Sequence, residues 1–358
     1  MKLNHKHYSL IDKALSRRSF LAGAGGVAAA SMLSGCSNDG TTTVTAPPTS
    51  AYTDADVLNF ALNLEYLEAQ FYLYAATGSG LAQTDTSAPT GYTGKYSAGT
   101  VITSSSTAGA NTVGKAGVTG TGPTALTAAQ SNILNEIAFE EQEHVRFLRL
   151  ALGPAAVPMP MIDLTFFGVL GGVLTPAQTG FNPFLSFTNF LLGSFIFEDV
   201  GVTAYLGAAP LISAAGVASG YLTAASGILA VEAYHAAYAR TSITATGSSA
   251  VIAIANSIAA LRATLTVGNT GAPTNTANTG NTGQVSTAAS VEVPLTLPTA
   301  GSTTPLTTIT AADSKSSLAF ARTVNQVHHV VYGSATVGTA KGGFFPNGTN
   351  SIFSTTTA

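Results

Sequence analysis

The chain has 358 residues, enough to bury a large core in one domain or two. It is 46% hydrophobic but only 9% charged, and a net charge of −3 gives no basic stripe for phosphates, which excludes a nucleic-acid binder. A single cysteine excludes an internal disulfide framework.

Residues 1–15 carry Lys2, Lys6 and Lys13, and Ser16-Arg17-Arg18-Ser19-Phe20-Leu21 then leads into a mild Ala/Gly run ending near Leu33. That run is too short and too rich in glycine to stay in a bilayer as a spanning helix. The stretch around Arg17-Arg18 resembles the twin-arginine export signal, and Leu33-Ser34-Gly35-Cys36 resembles a bacterial lipobox. Together they imply export by the twin-arginine route and a lipid anchor on Cys36 that attaches the protein to a membrane. The expected location is periplasmic or cell-envelope, as a lipoprotein, with ordinary signal cleavage and secretion as the alternative. Residues 37–52 read as a flexible tether. Without residues 1–35 the chain keeps nine basic and sixteen acidic residues.

Four long helical patterns follow, joined by loops of Gly, Ser and Thr. The first spans about Thr53 to Ala76, with Thr53 as N-cap, Asp54 and Asp56 in the first turn and Gly78 as the stop. The second opens at Thr127 and Gln130, a capping-box pair, and stops at Gly153-Pro154. The third is predicted to start at Asn182-Pro183 and fade at Gly207, and the fourth covers about Gly220 to Ser242. The first and third are apolar on nearly every side, as buried bundle helices are. The third is not read as membrane-spanning, because Glu198 and Asp199 sit at its centre.

These patterns predict an all-α fold: a four-helix bundle over 53–242, with a long insert at 79–126 between the first two helices. Residues 154–181 cross from the second helix to the third. Residues 243–358 form a C-terminal extension packed on the bundle, with further helices at Ser249–Leu265 and Asp313–Tyr332 and a short strand-like patch near Val291–Leu297.

Of nine glutamates, eight lie in the four bundle helices: Glu65 and Glu68, then Glu136, Glu140, Glu141 and Glu143, then Glu198, then Glu232. Two histidines close a Glu-x-x-His, at Glu141/His144 and at Glu232/His235. That spacing puts a carboxylate and an imidazole on one helix face, one turn apart, where both reach one metal ion. Glu65 and Glu198 lie in apolar runs, and their two helices contain no Lys or Arg. An unpaired carboxylate there costs several kcal/mol or more, about what a bound cation would offset. Two divalent cations balance four carboxylates.

One glutamate from each of two helices plus Glu-x-x-His from each of the other two resembles the di-iron or di-manganese pattern of the ferritin-like superfamily. Tyr72 lies seven residues after Glu65, as in bacterioferritin-like chains, and Glu198 and Glu232 are 34 residues apart, close to the usual hairpin repeat. The 76 residues from Glu65 to Glu141 exceed the usual spacing by the length of the insert. The stretch Leu58-Asn59-Phe60-Ala61-Leu62-Asn63-Leu64-Glu65-Tyr66-Leu67-Glu68 is similar to exported ferritin-like proteins related to plant desiccation-associated proteins. So are Phe320-Ala321-Arg322-Thr323 and Gly342-Gly343-Phe344-Phe345-Pro346-Asn347-Gly348.

The resemblance implies two divalent ions, Fe or Mn, held by Glu65, Glu141, His144, Glu198, Glu232 and His235. Glu68 is a bridging or neighbouring alternative to Glu65. Glu140 and Asp199 flank ligands and can orient an imidazole, although Glu136, Glu140 and Glu143 also suit a solvated face paired with Arg146 or Arg149. Tyr72, Tyr205 and Tyr234 are expected in the core with hydroxyls near the ligands, and His328 and His329 read as structural. The implied function is redox chemistry on O₂, peroxide or Fe(II) in stress protection. The alternative is a non-catalytic envelope protein with a structural metal site. An oligomer is compatible with this sequence, but a storage cage would be crowded by the tether and the insert.

Overall fold

The computed structural model describes residues 52–103, 126–267, 292–296, 309–312 and 317–356. The export motif, Cys36, nearly all of the tether and residues 104–125 of the insert lie outside the described residues. Among the described residues, nine α-helices form in chain order: α1 Asp54–Thr77, α2 Gln83–Thr86, α3 Ala128–Leu152, α4 Phe167–Val173, α5 Phe187–Ala208, α6 Ala214–Ala218, α7 Tyr221–Ala245, α8 Ser249–Val267 and α9 Val324–Tyr332.

The helix ends follow local chemistry. Thr53 and Thr127 each cap their helix with a complete capping box, to Asp56 and Gln130, a device that contributes about 1 kcal/mol per helix. Gly78 ends α1 in the left-handed region at φ 81°. The third bundle helix starts later than predicted. Asn182 turns its carboxamide oxygen onto the Phe184 amide at 2.8 Å, an Asx turn, and Ser186 takes the cap by accepting from Asn189 N at 3.1 Å.

α1 packs chiefly on α3, and α5 on α7, so the bundle is two helical hairpins joined across α1 and α5. Almost all of α1 and α5 is buried, and α5, long and apolar enough to cross a membrane, instead forms the core. Phe71, Phe167, Phe184, Phe190, Phe197 and Phe344 interlock there at centroid separations of 4.9 to 6.4 Å.

The insert begins as a docked segment. Arg146 binds Asp85, and Arg149 donates to Tyr66 and to the carbonyls of Thr84 and Ser87. Residues Val101–Ile102 (β1) then pair in parallel with Ile162–Asp163 (β2) of the crossover.

Two expectations for the C-terminal region fail. The last helix starts only at Val324, capped by Thr323. Residues 313–316 lie outside the described residues, and 317–323 form no helix: Arg322 N is bonded to the carbonyl of Thr203, and Ala312 and Ala319 form a bridge. The described part of the strand-like patch, 292–296, forms no strand, because its backbone is held by side chains. Leu295 exchanges two bonds with the Asn256 carboxamide, at 2.7 and 2.9 Å, and Arg240 donates to the carbonyl of Val293.

Candidate metal centre

The hairpin arrangement turns one face of each long helix to a common axis. Glu65 from α1, Glu141 and His144 from α3, and Glu232 from α7 bring one ligating atom each within 4.8 Å of one another. Glu141, Glu198 from α5 and His235 from α7 form a second such group, with Glu141 common to both. His144 Nδ1 lies 3.2 Å from Glu65, 3.5 Å from Glu141 and 3.7 Å from Glu232. His235 Nδ1 lies 2.9 Å from Glu141 and 3.6 Å from Glu198. Glu65, Glu141 and Glu232 are 0% exposed.

The surroundings hold these groups in place. Glu140 pairs with His235 Nε2 at 2.7 Å, which turns Nδ1 and its lone pair inward. The Tyr72 hydroxyl of α1 donates to Glu198 of α5, and the Tyr205 hydroxyl of α5 donates to Glu65 of α1. Each tyrosine follows its own helix's glutamate by seven residues, so the two bonds cross reciprocally between α1 and α5. Gly201 occupies on α5 the place of Glu68 on α1, three residues after the glutamate. A Cβ there would lie 2.3 Å from Glu232 Oε2 and 3.5 Å from Glu68 Oε1. The missing side chain is therefore the space that Glu232 fills, with Glu68 beside it.

Burial raises every carboxyl in this cluster, and specific partners then separate them. Desolvation lifts Glu65 to about 7 against the pull of His144. It lifts Glu232 and Glu68 well above the carboxylate range, where the neighbouring glutamates add to the effect. Burial also raises Glu198, opposed by His235. For Glu141 the same burial is outweighed by His144 and His235, which hold it at about 2. Burial disfavours charged imidazoles, yet Glu65 and Glu141 win at His144 and raise it to about 12, and Glu198 and Glu140 raise His235 further. Left to itself, the cluster balances charge with protons.

Hydrogen bonding does not complete that balance. Among the described residues, both oxygens of Glu141, both of Glu232, Glu198 Oε2 and His235 Nδ1 are buried without a well-aligned hydrogen bond, although His235 Nδ1 approaches Glu141 at 2.9 Å. Buried carboxylate oxygens left without a well-formed hydrogen bond are costly, and a cation is the group that satisfies them all. Carboxylate and imidazole donors suit iron or manganese. The residues present therefore fit a metal site.

The other expected residues divide. Asp199 orients no imidazole: it binds Arg240 at 2.9 Å and Arg262 at 3.1 Å, because the residue after Glu198 faces α7 and α8. Glu143 pairs with Arg146 at 2.7 Å, and Glu136 is exposed. Tyr234 is 75% exposed, since Glu232 and His235 turn inward and the residue between them turns out. His328 pairs with Thr349, and His329 donates to the carbonyl of Ser334, both in the C-terminal segment.

Sequence reasoning missed one buried cluster. Glu292 binds Arg262 at 2.6 Å and also Arg322, and through Arg262 it joins Asp199 and Arg240. The available signal was the ninth glutamate, alone in a low-complexity stretch, together with single arginines in apolar helices.

The profile of the ferritin-like domain family matches residues 53–245. The desiccation-related protein PCC13-62 of Craterostigma plantagineum is 28% identical over 194 residues, 50% of this chain and 50% of that protein. The ferritin-like catalase Nec2 of Nesocodon mauritianus is 26% identical over 164 residues, 44% of each. The chain thus spans half or less of the length of these curated relatives. No solved structure matches it significantly.

Proposed function

The chain belongs to the ferritin-like domain family, and from that premise we propose that its buried cluster holds two divalent ions, iron or manganese, for redox chemistry on dioxygen, peroxide or Fe(II). Glu65, Glu141, His144 and Glu232 would hold one ion, and Glu141, Glu198 and His235 the other, with Glu141 shared. When bound, such a pair would supply a one-electron couple at each ion and Lewis acidity toward an oxygen-containing reactant. The protein's own part is positional. Glu140 sets the His235 tautomer, Tyr72 and Tyr205 donate protons in hydrogen bonds to Glu198 and Glu65, and the aromatic core keeps bulk water out.

The observation that carries this reading is the set of buried carboxylate oxygens, without well-formed hydrogen bonds, converging in a core where no arginine or lysine among the described residues meets them. Among the candidate reactions, peroxide disproportionation draws support from the relative described as a ferritin-like catalase. There one peroxide is oxidised to O₂ while another is reduced to water. Loading the protein separately with Fe(II) and Mn(II), then following peroxide loss and O₂ exchange, tests the reading. Turnover with at least one metal is expected. Silence with both, at full occupancy, would overturn it.

The near-complete burial of the ligating atoms and the similarity to a desiccation-related protein favour a second reading, a structural metal in a stress-protective protein. In that case metal removal lowers the melting temperature steeply and the loaded protein shows no turnover. The place of action proposed is the cell envelope, reached by twin-arginine export and held by lipid on Cys36. A membrane-fraction protein with a lipid-sized mass increment at Cys36 is expected, and an unmodified Cys36 would contradict it.

A further inference from the structure

Two small apolar cavities are lined by α1, α4, α5, α8, α9 and Phe344, and by no residue of α3 or α7, the helices that carry His144 and His235. The first, about 20 Å³, is bounded by Leu64, Leu67, Ile196, Val200, Val330 and Phe344, and its one acidic wall is Glu68. The second, also about 20 Å³, lies between α4, α5, α8 and α9, against Leu170, Leu174, Ile258 and Leu265. Its polar neighbour, Arg262, is engaged by Asp199 and Glu292. Ile196 of α5 and Val330 of α9 line both cavities, so these two side chains form part of the wall between them.

Each cavity has room for one small molecule. Their walls decide which kind. Water or hydrogen peroxide entering them would forfeit hydrogen bonds that aliphatic and aromatic groups cannot replace, whereas dioxygen forfeits none. Apolar cavities of this type stay dry and accept apolar guests such as xenon. The inner cavity ends at Glu68, which stands beside Glu232 at the edge of the carboxylate cluster. The roof over both is C-terminal: Val330 from α9, with Phe344 over the inner one.

We infer that the two cavities are a binding and transit site for dioxygen, with Ile196 and Val330 in the wall between them, opening onto the Glu68 side of the metal centre. The inference rests on the redox reading above for its purpose, though not for its existence. It holds whether dioxygen is consumed or released, and it assigns the C-terminal extension the task of closing this passage. Polar reactants would use the opposite side, where Glu140 is part-exposed beside His235.

Crystals of the protein pressurised with xenon, metal-free and metal-loaded, test the site directly. Xenon is expected in both cavities, and its absence from both would overturn the inference. A second arm uses Val330→Phe and Ile196→Phe, which fill the partition, and Leu170→Phe in the second cavity should either of those fail to fold. In a variant that still binds Fe(II) at the wild-type ratio, oxidation of that iron by dioxygen should slow roughly tenfold. Its oxidation by hydrogen peroxide should be unchanged. An unchanged dioxygen rate would contradict the inference even with xenon bound. Should wild-type iron react with neither oxidant, the redox reading fails, and xenon occupancy alone decides whether the site exists.

Discussion

At His235 the two ring nitrogens face different worlds: Nε2 meets the half-buried Glu140 carboxylate at 2.7 Å, and Nδ1 faces Glu141 and Glu198 inside. Removing the charge of Glu140 frees the ring to rotate or change tautomer. Glu140→Gln should therefore weaken metal binding, by roughly 10-fold to 100-fold, as measured by competition with a chromogenic chelator. Gly201→Ala probes the same centre from the opposite wall. A methyl group there would meet Glu232 Oε2 at 2.3 Å, so Glu232 must shift and metal affinity should fall while the helix itself, gaining alanine, stays formed. Circular dichroism with metal titration separates the two effects.

That the six expected residues converge was legible because Glu-x-x-His spacing puts Glu141/His144 and Glu232/His235 each on one helix face, while Glu198 is the one glutamate of its apolar helix. Helix-face geometry left Glu65 and Glu68 as alternatives and the Tyr72 spacing favoured Glu65; in the structure Glu65 joins a three-glutamate, one-histidine group and Glu68 stands apart beside Gly201. The ambiguity of Glu140, solvated or orienting, needed the position of α7 to resolve.

On the scale of elements, the long helices were readable from caps and apolar runs, and three of the four starts fall within a residue of expectation. The exception, at Asn182, arose because asparagine serves a turn and a cap equally well, and tertiary context chose the turn. What no periodicity reveals is how irregular segments are tied down. Asn63 of α1 exchanges hydrogen bonds with the backbone of Asn350, and Asn59 does the same with Ala155 and Val157. The repeated asparagines of an otherwise greasy helix are clasps for loops.

The arginine cluster is the same device with charges. Three buried arginines share two buried carboxylates, joining α5, α7, α8, residue 292 and residue 322. Glu292→Gln would leave Arg322 and part of Arg262 uncompensated. A loss of about 3–5 kcal/mol in chemical denaturation is expected. A loss below 1 kcal/mol, within the range of an exposed pair, would show that water reaches the cluster.

Across the whole molecule charge is scarce, and among the described residues much of it is buried, so proton balance governs stability. Glu65 moves from its ordinary 4.5 to about 7, so its contribution is present below 4.5 and lost as pH rises toward 7. His144 moves from 6.5 to about 12, so its contribution is full below 6.5 and lost as pH rises through 12. Glu141 runs the other way, from 4.5 to about 2: its contribution is present above 4.5 and lost as pH falls through 2. The metal-free protein should thus be most stable in mild acid, and its melting temperature should fall between about pH 5 and about pH 8. Bound cations replace those protons, so the loaded protein should show no such fall. Scanning calorimetry of both forms at each pH checks the sign.

The central claim is that cations neutralise the buried acids. It is tested most directly by anaerobic titration of the metal-free protein with Fe(II) or Mn(II) at neutral pH, recording ions bound and protons released. Two ions per chain, net proton release, and loss of both sites in Glu141→Ala are predicted. No saturable binding, or unchanged binding after Glu141→Ala, would contradict the account.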